Sequence, residues 1–217
     1  MIQSHISDEI LTSYAAGSLD EASSLLVACH LSLCPHCRAR AAKAEQLGGF
    51  LLDALEETAV SPDMMANVLA QLPAPAAKVS LPELTEPRLH AVLPAPLRDY
   101  VGGDISELRW KRVAPKVHQI AIPMKDKRAQ ARLLRFRSGM MVPCHGHNGR
   151  ELTLVLTGSL CDHTSTLFRG DVAETDERTE HQPFAGSGED CICLAVTDAP
   201  LRFKSVFARI LQPLLGI

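Results

Sequence analysis

The sequence predicts an α+β protein of two domains, and three observations predict it. Apolar residues recur at helical spacing through the first third of the chain, prolines gather in the middle, and beyond Asp104 short β-type runs alternate with Gly and Asp turns. At 217 residues there is room for two domains, and a 46% hydrophobic composition supports a sizeable core.

The helices come first. Ser7-Asp8-Glu9 ahead of Ile10, Leu11, Tyr14 and Ala15 reads as an N-cap with first-turn acids, and Gly17 as the stop. Asp20-Glu21 restarts a helix carrying Leu25, Leu26 and Cys29. A third helix starts near Pro35, a residue suited to the first turn, with Gly48-Gly49 as a possible kink and an apolar stripe renewed at Phe50, Leu51, Leu52 and Leu55. Ser61-Pro62-Asp63 is expected to cap a fourth helix bearing Met64, Val68, Leu69 and Leu72. These elements make up a first domain, 1–75. Pro73, Pro75, Pro82, Pro87, Pro94 and Pro96 predict a semi-rigid linker over 76–96. A second domain, 97–217, opens with a helical turn over 97–101. Strands are expected at 117–122, 131–137, 151–157, 191–196 and 201–206, which is a sandwich or barrel pattern.

Composition removes several function classes. Aromatic residues are only 4%, so few side chains are available to stack on nucleobases. No apolar run approaches the ~20 residues of a membrane helix, and Met1 to His5 lack a signal-peptide pattern, so a cytoplasmic protein is expected. Seven cysteines, an odd number with close pairs at Cys34/Cys37 and Cys191/Cys193, then point to metal or redox chemistry rather than a disulfide framework. Through Leu72 nine acids face three bases, giving −6 there and +3 beyond. An acidic helical domain is a poor DNA binder but suits a protein with a basic surface.

The first constellation is His30-x3-Cys34-x2-Cys37. A C-x2-C step lets two thiolates grip one ion, and here it joins the end of the second helix to the start of the third. A redox pair of thioredoxin type needs a preceding strand, which the helical flanks deny. His5 is the expected fourth ligand, with Cys29 and His36 as competitors. Closed His2Cys2 coordination describes a structural Zn2+ site and a zinc-pinned four-helix module. This arrangement resembles the zinc-binding anti-sigma factors. The resemblance implies a module that wraps between the two main domains of an extracytoplasmic-function sigma factor and masks its polymerase-binding surfaces.

The second constellation is Gly139-x5-His145-x-His147-x3-Glu151-x6-Gly158, which resembles the first cupin motif at each fixed position. Residues 145, 147 and 151 share one parity, so an extended chain turns them to one face, continuing through Thr153, Val155 and Thr157. Leu152, Leu154 and Leu156 then face outward, which calls for a cover. The second cupin motif is degenerate: Gly170-Asp171 and His181 keep their spacing, but Asp176, Arg178 and Ala185 replace its usual Pro, Gly and Asn. Three imidazoles (His145, His147, His181) and the Glu151 carboxylate suit Zn, Mn, Fe or Ni.

Together the two constellations resemble the ChrR-type anti-sigma factors over nearly the whole chain. That resemblance implies Zn2+ in both sites and a 1:1 heterodimer with a sigma factor. It also implies a helical module sufficient for inhibition and a cupin β-barrel needed for release on singlet oxygen or organic peroxide. The competing expectation is a metal-dependent cupin enzyme of dioxygenase type, in which the H-x3-C-x2-C module has no role. Cys191 and Cys193 alternate with Ile192 and Leu194, and small core residues are the favoured reading over an oxidant target.

Overall fold

The computed structural model describes residues 2–72 and 91–203. The helical region begins with α1 (Asp8–Ala15), where the Ser7 hydroxyl accepts from the Ile10 amide and Gly17, at φ +66°, lets the chain turn away. Asp20 caps α2 (Glu21–Leu33) by accepting from the Ser23 amide. Cys34 is both the C-cap of α2 and the N-cap of α3 (Pro35–Asp53), its sulfur accepting from the Cys37 amide with Pro35 in the first turn. Gly48 and Gly49 lie within α3, which runs through them. After α4 (Met64–Gln71) and the undescribed stretch comes α5 (Ala95–Val101), packed on α2. The first three helices pack on one another, whereas no residue of α4 is buried and Asp63 makes no side-chain cap. The linker expected at 76–96 lies outside the described residues as far as 90. In its described remainder Leu93 is in the core, and Asp104 holds the amides of Val92 and Leu93.

The C-terminal region is antiparallel throughout. One sheet has the order β1-β2-β3-β11-β5-β8, made from β1 (Lys111–Ala114), β2 (Val117–Ile122), β3 (Gln130–Phe136), β5 (Glu151–Thr157), β8 (Val172–Thr175) and β11 (Cys191–Thr197). Two small sheets complete it. The first joins β10 (Phe184–Ala185), β6 (Ser159–Cys161) and β7 (Thr166–Phe168); the second joins β12 (Leu201–Phe203), β4 (His145–His147) and β9 (Glu180–His181). The result is a cupin-like β domain whose three sheets stay open; among the described residues no ladder joins them into the closed barrel that was expected. Residues 204–206 of the last expected strand lie outside the described residues. The turn after β5 needs Gly158: its φ is +64°, and a Cβ there would sit 2.7 Å from the Asp190 carbonyl oxygen.

The two faces of the large sheet have different neighbours. Leu152, Leu154 and Leu156 of β5 and Ile192, Leu194 and Val196 of β11 share one cluster with Leu25 and Leu26 of α2. The cover that β5 requires is therefore the helical region itself, with α2 lying against β3, β5 and β11. Each such side chain contributes about 1.5–3 kcal/mol by burial, so helices and sheet are joined by a common core. Polar contacts rim it: Glu21 accepts from the amides of Lys125 and Asp126, and Arg150 pairs with Glu9 at 2.8 Å. The opposite face, with Cys191 and Cys193, belongs to a second cluster with Phe136 and Ala185.

Candidate metal centres

The first cluster forms where the chain leading into α1 meets the α2–α3 corner. One ligand atom from each of His5, His30, Cys34 and Cys37 lies within 4.8 Å of the other three. The His5 Nδ1 is 3.4 Å from the Cys34 sulfur and 3.5 Å from that of Cys37. A tetrahedral ion with Zn–S bonds of 2.3 Å and Zn–N bonds of 2.0–2.1 Å has an S···N edge of about 3.5 Å, so these spacings fit one. His30 is fully buried. Its Nδ1–H donates to the Gly170 carbonyl at 2.8 Å, which leaves Nε2 as a buried lone pair with no hydrogen-bond partner. An orphaned imidazole nitrogen beside two thiols is what a cation would satisfy. Burial and the neighbouring Cys34 push the Cys37 thiol up, so without an ion it stays protonated; the Arg40 guanidinium, 3.7 Å from that sulfur, favours the thiolate. The two competitors for the fourth place are not in the four-donor group, although the His36 ring lies 4.8 Å from that of His5. Cys29 is buried in the helical core, which pushes its thiol up to about 12, and His36 is exposed.

The second cluster bridges β4 and β9, whose register sets His145 opposite His181. His181 Nε2 is 3.1 Å from His145 Nε2 and 3.2 Å from His147 Nε2. The His145 Nδ1–H donates to the Pro143 carbonyl at 2.8 Å, which fixes its Nε2 as the acceptor nitrogen. Burial, then the neighbouring imidazoles, pushes His147 and His181 down to about 4, so all three rings are neutral near pH 7. One N–H on His181 can serve only one of its two neighbours at a time, whereas a cation among the three nitrogens would satisfy all of them, and the donor set fits a divalent transition metal. Glu151 is placed differently. It lies on the cavity face with His145 and His181, as its parity predicts, but its carboxylate is 3.7 Å from His147 Nδ1, the ring nitrogen other than the one that meets His181. The structure brings the three histidines together and leaves Glu151 just outside. Burial pushes that carboxyl up to about 7, opposed by a hydrogen bond from Thr153.

Residues 99–200 match the family described as the ChrR cupin-like domain. Over 222 aligned residues the chain is 46% identical to the anti-sigma-E factor ChrR of Cereibacter sphaeroides, an alignment covering 100% of this chain and 99% of that protein. The chain belongs to the ChrR family of anti-sigma factors. Its backbone is also similar to ChrR in the crystal structure of Rhodobacter sphaeroides SigE in complex with the anti-sigma ChrR. There the TM-score is 0.78 and the identity 44%, over 91% of this chain and 99% of that one.

In this member of the ChrR family His145 and His181 of the triad, with Glu151, face an apolar cavity of about 280 Å³, lined in part by Leu134, Phe136, Met140, Cys161 and Cys193. Cys191 is fully buried, and Cys144 lies near Glu180 rather than in the triad. Sequence reasoning missed Arg40 beside the Cys37 sulfur, and it missed the contact between His30 and Gly170, 140 residues away. Only the C-x2-C-x2-R spacing hinted at the former; no local pattern marks the latter.

Proposed function

We propose that this chain sequesters an extracytoplasmic-function sigma factor as a 1:1 heterodimer, denying it to RNA polymerase in the cytoplasm. As a member of the ChrR family it is a regulatory protein rather than an enzyme. The observation that carries the reading is an apolar surface left bare along the end of α3 and along α4. Phe50, Leu52, Leu55, Met65 and Leu69 are each more than half exposed, Phe50 by 72%. Large apolar side chains bared on two successive helices mark a surface for a partner, and the acidic setting favours one with a basic surface.

In this reading His5, His30, Cys34 and Cys37 hold Zn2+, which fixes the α2–α3 corner and supplies folding energy. His145, His147 and His181, with Glu151 nearby, hold a second divalent ion, most simply Zn2+, with Mn, Fe or Ni also compatible with the donors. The module boundaries follow the sequence divisions, 1–75 and 97–217, joined by 76–96. Singlet oxygen or peroxide acts at the cupin domain to end the inhibition, because oxidisable Met140, Cys161 and Cys193 line the cavity beside the triad. Among the described residues no helix is long and apolar enough to cross a membrane.

The test is affinity for the sigma factor. Phe50→Asp and Leu69→Asp should each weaken binding by about 2 kcal/mol or more, some thirtyfold, while the melting temperature of the free chain stays the same. Undiminished affinity in the double variant, measured by calorimetry, removes this surface from the interface.

A further inference from the structure

The helical metal cluster is held from two sides. Cys34 and Cys37 are placed by the α2–α3 corner and backed by Arg40. The two histidines are backed by the cupin domain, through one turn between β7 and β8. Asp171 is almost fully buried, and both its carboxylate oxygens are committed: Oδ1 accepts from the Gln3 amide at 2.7 Å and the Ser4 amide at 2.9 Å, and Oδ2 from the Phe168 amide at 2.8 Å. Ser4 also exchanges hydrogen bonds with Val172, its hydroxyl donating to the Val172 carbonyl at 2.6 Å and its carbonyl accepting from the Val172 amide at 3.3 Å. The next residue is His5. One step before Asp171, the Gly170 carbonyl accepts from His30 Nδ1. The turn is tightly fitted against the N-terminal segment: Gly170 has φ +92°, and a Cβ there would meet Ile2 at 2.6 Å.

We infer that the Gly170–Asp171 turn is a positioning element for the helical metal cluster, docking the segment that carries His5 and orienting the His30 ring, so that this cluster's hold on its ion depends on the cupin domain. The inference rests on the reading of His5, His30, Cys34 and Cys37 as a metal site. Its physical basis is general. A ligating imidazole is oriented by the acceptor on its other nitrogen, and losing such outer contacts typically costs 10–100-fold in metal affinity. The turn also continues directly into β8, which pairs with β5, and β8 leads through one further turn to His181 on β9. Two candidate metal clusters thus share one short stretch of cupin backbone.

Cobalt(II) tests this in the full-length chain, because a thiolate site gives a sulfur-to-cobalt charge-transfer band that an all-nitrogen and oxygen site lacks. Titration against a competing chelator should show cobalt held at the thiolate site about 10–100-fold more weakly in Asp171→Ala. Asp171→Asn keeps one acceptor oxygen for the Gln3 and Ser4 amides but sets its NH2 against the Phe168 amide, and should fall between Asp171→Ala and the parent. Gln3→Pro removes one N–H donor without touching the cupin domain and should fall between. If Asp171→Ala does not fold by circular dichroism, Gln3→Pro carries the test. Variants that show the band and bind cobalt within twofold of the parent overturn the inference, as does a lowered melting temperature with unchanged cobalt affinity. A parent chain with no charge-transfer band defeats the metal reading itself.

Discussion

The two clusters of histidine differ in how they are closed. The helical one combines two imidazoles with two thiols at tetrahedral spacing, all four donors converging at a corner between helices. The cupin one gathers three imidazoles, two of which face an apolar cavity, and has the Glu151 carboxylate beside it, 3.7 Å from His147 Nδ1. The first arrangement offers four protein donors, enough to fill the positions of a tetrahedral ion, and suits shape-keeping. The second leaves space on one side of its donors and suits an encounter with a small molecule. In the proposed function the helical cluster serves the hold on the partner and the cupin cluster serves the response to a signal.

The largest test of that contrast is removal of the thiols. Metal binding in small zinc modules is worth about 10–16 kcal/mol, comparable to a domain's whole stability. Cys34→Ser with Cys37→Ser should therefore abolish sigma-factor binding and reduce helical signal in circular dichroism. A variant that keeps its helicity and its partner would make the helical cluster as dispensable to shape as the cupin one. The matched experiment is His147→Ala with His181→Ala, read by metal content and by sigma-factor affinity. It should lose one ion per chain, keep affinity within about threefold because the α3–α4 stripe is untouched, and no longer release its partner under peroxide. A large fall in affinity would erase the division of labour.

A smaller effect sharpens the picture of the cupin cluster. In metal-free protein the Glu151 carboxyl is raised from an ordinary 4.5 to about 7, mainly by burial. A raised carboxyl favours folding while protonated in both states; that contribution is present below pH 4.5 and is lost as pH rises to about 7. His147 and His181 act in the opposite sense, since they are lowered to about 4 and their stabilising contribution disappears as pH falls from 6.5 to 4. Glu151→Gln removes only the first effect. Its unfolding free energy relative to the parent, followed by denaturant titration, should climb between pH 4.5 and 7 and then level off, by about 1–3 kcal/mol in all. A difference independent of pH would mean that the carboxylate is solvated.

Much of this was legible in the sequence where a residue's role is local. Caps, Pro35 and the C-x2-C step fixed the α2–α3 corner, and short β-type runs between turns identified β2, β3, β5 and β11. What escaped depends on distance through space. Strands such as β9 and β10 have two residues each, too short for any period to show. Parity placed Glu151 on the cavity face correctly, yet parity carries no information on which side of a histidine ring a carboxylate will settle. The fourth helix was read from its apolar residues as part of a bundle; the same residues are exposed, and sequence does not distinguish an apolar face meant for a core from one meant for another protein.

The covering of the large sheet by α2 has a practical consequence for dissecting the molecule. A fragment beginning at residue 91 would carry Leu152, Leu154, Leu156, Ile192, Leu194 and Val196 as a bare, flat, greasy wall. Such a fragment should self-associate or demand detergent, so cutting the chain between its halves would yield aggregates rather than an independent sensor.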